Sequence, residues 1–105
     1  MQPSNLVIAA GVTATLDLIA YSISDENDAI LIGRPLYTSF CNDLGTRAKV
    51  QLVPVCGGGV DPLSVEMVGR YEEEFLKQRE RGVKVRGMVL CKYVTVFFFF
   101  IFLYI

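Results

Sequence analysis

No histidine occurs anywhere in the 105 residues. Its absence removes the commonest general base and the commonest zinc ligand. Cysteine is scarce as well: Cys41, Cys56 and Cys91 form an odd set without C-x-x-C spacing. Neither a disulfide framework nor a metal site is expected from it, and the pattern suits a reduced, cytoplasmic setting. Neither sign of charge prevails, since 10 basic and 11 acidic residues leave a formal net charge of −1. The basic stripe that nucleic-acid binding needs is missing. The opening Met1-Gln2-Pro3-Ser4-Asn5 has no positive n-region, so it does not read as a secretory signal. No internal repeat is visible. The apolar stretch Tyr93–Ile105 falls short of the ~20 apolar residues that span a bilayer, and Lys92 blocks its extension toward Leu90. Membrane insertion is therefore not expected.

What is present is an alternation of short apolar runs and helical patterns. A chain of this length suffices for one small domain, but a piece of a larger domain would leave apolar faces uncovered. Leu6-Val7-Ile8-Ala9-Ala10 reads as a buried strand ending at Gly11. From Thr13 the spacing turns helical, with Leu16, Ile19, Ala20 and Ile23 on one face. Ser24–Asp28 is a polar break in which Asn27 suits a left-handed turn position. Ala29–Ile32 reads as a second strand closed by Gly33-Arg34-Pro35, and Thr38–Gly45 as a short helix. Val50–Val55 is a third strand, and Pro54 puts it near a sheet edge. After the glycine-rich loop Cys56–Asp61, a helix is expected from Pro62 to about Arg79 or Glu80. Val65, Val68, Tyr71, Phe75 and Leu76 mark its apolar side. Val83–Leu90 is a fourth strand. The order β-α-β-α-β-α-β predicts an open α/β sheet.

In such a sheet, ligands gather at the carboxyl ends of strands. Two junctions lie there. At Gly11-Val12-Thr13, a helix N-terminus offers unpaired N–H groups to an anion, phosphate above all. Gly11 permits close approach, and the Thr13 hydroxyl adds a donor. Locally, any β–α turn favours the same residues, so a purely structural role stays open. At Gly33–Phe40, Tyr37 could stack on a planar ring, or Tyr37 and Phe40 could simply pack under the sheet. The two junctions gain weight together, because both follow strands of one sheet.

The wording of the two junctions is also familiar. Ala10-Gly11-Val12-Thr13-Ala14-Thr15 is similar to the A-G-A-T-(S/G)-A of the class I aminotransferase family, in its aminocyclopropane-carboxylate-synthase-like branch. Asp25 to Phe40 resembles that branch's D-P-G-D-A-F-L-V-P-T-P-Y-Y-P-G-F. Asp43-Leu44 and Lys49–Val55 resemble its D-L and G-V-E-I-V-P-V. The likeness runs in register from Leu6 to Leu90. It implies residues 1–91 as part of the large, cofactor-binding domain of a fold type I enzyme that uses pyridoxal 5′-phosphate on an amino acid, normally as a homodimer. By the same likeness Gly11, Val12 and Thr13 lie at the cofactor phosphate, and Tyr37 is the ring stacked on the pyridine. The chain departs from the pattern at Leu36 and at Thr38-Ser39, which leaves transaminase, lyase and synthase activities open.

After the fourth strand the family continues into N-P-x-N-P-x-G, then an aspartate, a tyrosine, the S-x-x-K lysine and an arginine. None has a matching position here. The lysine anchors the cofactor and moves the substrate proton, so the chain alone is expected to be inactive. One permitted coding of Cys91-Lys92-Tyr93, TGT-AAG-TAT, contains the splice-donor sequence GTAAGT. Residues 92–105 are therefore read as an aberrant hydrophobic tail of translated intron, with Met1 lying inside a longer protein. The competing reading is a small membrane-associated or non-catalytic interaction protein with a hydrophobic tail. Gly57-Gly58-Gly59 lacks the lysine of a phosphate loop. Glu72–Glu74 and Lys77–Arg81 read as a solvated face with Glu73–Lys77 paired, and Cys41 and Cys56 as inert thiols.

Overall fold

The computed structural model describes residues 2–34, 36 and 38–90, and the backbone alone of 99–101. Helix α1 (Gly11–Ile23) leads into strand β1 (Ala29–Gly33), helix α2 (Phe40–Gly45), strand β2 (Gln51–Val55), helix α3 (Val65–Glu80), strand β3 (Val85–Leu90) and the short strand β4 (Phe99–Ile101). One sheet of order β2-β1-β3-β4 results, with β1 parallel to both neighbours and β4 antiparallel to β3. The expected open α/β class holds.

The side-chain alternation of β1 builds two cores at once. Ile30 and Ile32 face α1 and α2, packing with Leu16, Ala20, Phe40, Leu44, Val50 and Val89. Leu31 faces the other way, into Val55, Met67 and Tyr71 beneath α3. The sheet therefore has helices on both faces, which is why β1 reads as a continuous apolar run: Ala29 through Ile32 are all buried. The predicted α1 face is correct at its centre, with Leu16 and Ala20 buried.

Between α1 and β1, Asn27 takes the left-handed conformation expected of it (φ 70°), and its N–H donates to the Lys49 carbonyl at 3.0 Å. Lys49 is itself left-handed (φ 54°), which no sequence signal announced. Asp28, 7% exposed, accepts from Arg86 Nε at 2.6 Å and from the Asp25 N–H at 2.9 Å. This clamp ties the turn to β3 at the amino-terminal edge of the sheet. Burial alone would raise the Asp28 pKa, but the Asp25 N–H and the Arg86 guanidinium outweigh it and hold the carboxyl below its ordinary 3.8.

Several expectations need correction. Leu6–Ala10 forms no strand; it is a segment in which Leu6, Val7 and Ile8 are 59%, 88% and 98% exposed. An apolar run becomes a strand only where a neighbour completes its ladder, and among the described residues none flanks it. The helix from Thr13 starts two positions earlier, at Gly11, and that from Thr38 starts at Phe40. Helix α3 begins at Val65, not Pro62, because Asp61 closes a turn first: its carboxylate accepts the Leu63 N–H and its carbonyl the Ser64 hydroxyl. The inner face of α3 is Met67, Tyr71 and Gln78, while Val65, Val68 and Leu76 point outward. Both stripes keep helical spacing, so periodicity could not choose between them. The ion pairs on the α3 surface are Arg70–Glu73 and Glu74–Lys77 rather than Glu73–Lys77. The fourth strand starts at Val85 instead of Val83.

Candidate functional site

The chain leaves β1 toward α2 on one face and leaves β2 toward α3 on the other. Adjacent parallel strands whose exits part in this way open a crevice at their carboxyl ends, the usual ligand position in such sheets. Its floor is closed by the Arg34 N–H, which donates to the Val55 carbonyl at 3.0 Å. Gly33 ends β1 there. A Cβ on Gly33 would lie 2.5 Å from the Tyr71 hydroxyl, so the packing of α3 against this strand end requires glycine.

Helix α1 packs along β1 and joins its start through a five-residue turn, Ser24 to Asp28, so the two run antiparallel. Its N-terminus therefore lies toward the carboxyl edge of the sheet. Three properties suit that end to an anion. The N-cap Ala10 makes no side-chain cap, and the first turn carries no acidic residue. Gly11 has φ +90° with nothing within 4 Å of where a Cβ would sit, so the approach is open. The Gly11 N–H is taken by the Ala9 carbonyl at 2.9 Å, which leaves the N–H groups of Val12 and Thr13 as the helix's orphan donors. Val12 is 50% exposed and Thr13 is exposed. The expected strand before this turn is absent, so the junction is a turn and helix alone.

Tyr37, the predicted stacking residue, lies outside the described residues, as does Cys91. Phe40 is buried in the core with Leu44, as the packing alternative for it required. Cys41 and Cys56 are exposed free thiols. Gly58 and Gly59 have positive φ in an open turn. No group of three or more metal-ligating side chains occurs among the described residues, and no described helix is long and apolar enough to cross a membrane. A separate hollow of ≈ 360 Å³ lies between β2 and α3, lined by Pro54, Val55, Cys56, Arg70, Glu73, Glu74 and Lys77. Its charges are already paired along α3, and sequence reading did not anticipate it. Sequence reading also missed the meeting of the Tyr71 hydroxyl with Gly33, since Tyr71 looked like one more core aromatic of a helix.

In fold, this architecture is similar to part of solved aminotransferases. It is similar to the kynurenine aminotransferase of Pyrococcus horikoshii, solved in complex with PMP (TM-score 0.60, 20% identity, 76% of this chain and 19% of that one). It is equally similar to the multiple substrate aminotransferase of Thermococcus profundus (TM-score 0.59, 22% identity, 75% of this chain and 18% of that one). In sequence, the chain is 37% identical over 87 residues to the "Probable aminotransferase ACS12" of Arabidopsis thaliana, covering 83% of this chain and 17% of that protein. It is 27% identical over 89 residues to a 1-aminocyclopropane-1-carboxylate synthase of Oryza sativa subsp. japonica, 85% of this chain and 16% of that protein. The resemblance read from the two junctions is thus found again along most of the chain, and the chain corresponds to a small part of each relative. No family model matches.

Proposed function

We propose that this chain forms one part of the cofactor site of a pyridoxal-phosphate enzyme, an aminotransferase or aminocyclopropane-carboxylate-synthase-like protein acting on an amino acid. The observation that carries the reading is the uncapped start of α1, where Val12 and Thr13 offer free N–H donors, Gly11 leaves the approach open, and the first turn holds no carboxylate. Bound there, pyridoxal 5′-phosphate would supply the aldehyde and electron-withdrawing ring that make amino-group chemistry accessible. The chain's own share is holding and orienting. The Val12 and Thr13 N–H groups and the positive end of α1 take the phosphate, Gly11 lets it approach, and Tyr37 stacks on the ring. No lysine of the chain sits in an S-x-x-K pattern, so the proton-moving base belongs to the longer protein. That protein is proposed to be a cytoplasmic homodimer, and residues 92–105 a translated intron.

Equilibrium titration with pyridoxal 5′-phosphate tests the assignments. Tyr37→Ala is expected to weaken binding by about 1 kcal/mol, the worth of a stacked ring beyond its buried area. Thr13→Ala should cost less, because the backbone donors remain. Unchanged affinity in Tyr37→Ala would remove that residue from the site.

A further inference from the structure

Tyr71 is only 6% exposed, its ring held among Leu31, Val55 and Met67. Its hydroxyl sits against Gly33 at the carboxyl end of β1. Among the described residues that hydroxyl has no hydrogen-bond partner, whereas most polar tips on buried side chains find one. It is also not sealed in: among the described residues the one fully buried side-chain polar atom without a partner is Ser24 Oγ. An unpaired hydroxyl on an immobilised ring thus stands at the carboxyl end of β1 without being fully enclosed. Burial pushes the phenol pKa above its ordinary 10, so at neutral pH it is protonated and able to donate.

We propose that Tyr71 is a ligand-contacting residue of the carboxyl-edge site, its hydroxyl donating a hydrogen bond to an acceptor oxygen of the bound phosphorylated aldehyde. The inference rests on the cofactor-site reading above. Gly33 is the second half of the arrangement, since any larger residue at the strand end would displace the hydroxyl. Phenylalanine fills the same space as tyrosine, so Tyr71→Phe removes the donor and leaves the packing.

The test uses the full chain, labelled with ¹³C at its tyrosine rings and titrated with pyridoxal 5′-phosphate. Expected results are a shift of the Tyr71 ring resonance on ligand addition, and an affinity about fivefold to tenfold lower in Tyr71→Phe. The thermal midpoint should stay unchanged, because an unpartnered hydroxyl contributes nothing to the fold. Equal affinity of both forms, or a loss of affinity matched by a loss of thermal stability, would overturn the assignment while leaving the cofactor-site reading standing. A wild-type chain that binds no pyridoxal phosphate overturns both.

Discussion

Replacing Asp28 with alanine is expected to destabilise the fold by about 2–3 kcal/mol, near the lower bound for breaking a buried ion pair. The lower end applies because Arg86 keeps a second, exposed partner in Asp25 at 3.3 Å and its own side chain is 33% exposed. The cost has two sources. Arg86 Nε loses an acceptor at 2.6 Å, and the Asp25 N–H loses one at 2.9 Å. The turn they secure holds Asn27 in its left-handed conformation and starts β1, the strand that both cores share. Because the folded-state pKa of Asp28 is depressed, its stabilisation is present above the ordinary carboxyl value of 3.8. It is lost as pH falls below that through the folded pKa. Urea unfolding at pH 7 and at a series of pH values below 3.8 checks both statements: wild type and variant should differ at pH 7, and the difference should shrink steadily as pH is lowered below 3.8. Identical midpoints at pH 7 would show that the clamp is ornamental.

Deleting residues 92–105 is expected to raise the soluble fraction of the expressed chain severalfold without creating activity. From Tyr93 to Ile105 the sequence carries no charge and no proline and is rich in phenylalanine and β-branched residues, a composition that pairs with itself. Part of it forms β4, the outermost strand of the sheet. The opposite outer strand, β2, is protected by Pro54, which cannot donate to an incoming strand. Removal exposes β3 instead, but β3 carries Arg86 as its second residue and follows Lys84, charges that discourage edge pairing. Neither form should convert an amino acid to its keto acid, since neither has a lysine in the S-x-x-K pattern. A deletion that leaves solubility unchanged would clear the tail, and keto-acid production by either form would overturn the fragment reading.

Much of the fold was legible because its strands are buried on both sides. Ala29–Ile32 could hardly be anything but a central strand, and Asn27 announced the turn before it. Pro54 rightly marked an edge. Leu6–Ala10 misled for the same reason that β1 was easy: a run of apolar residues records the burial a segment seeks, not whether a partner is there to provide it. In α3 the sequence offered two apolar stripes, and only the position of the sheet decides that Met67 and Tyr71 go inward. The site was half legible. Gly11, Val12 and Thr13 were nominated from the helix start together with the family wording, and the geometry adds why the second and third N–H groups are the free ones. Tyr71 was hidden, because its relation to Gly33 is a meeting of residues 38 positions apart that no local pattern records.

Amide mapping by ¹⁵N NMR during titration with pyridoxal 5′-phosphate, set beside pyridoxal without its phosphate, tests the proposed cofactor site most directly. The predicted result is that the Val12 and Thr13 amides shift with the phosphorylated compound and barely move with pyridoxal. Shifts confined to lysine-bearing surfaces such as Lys49, Lys77 and Lys84, with the start of α1 silent, would contradict it.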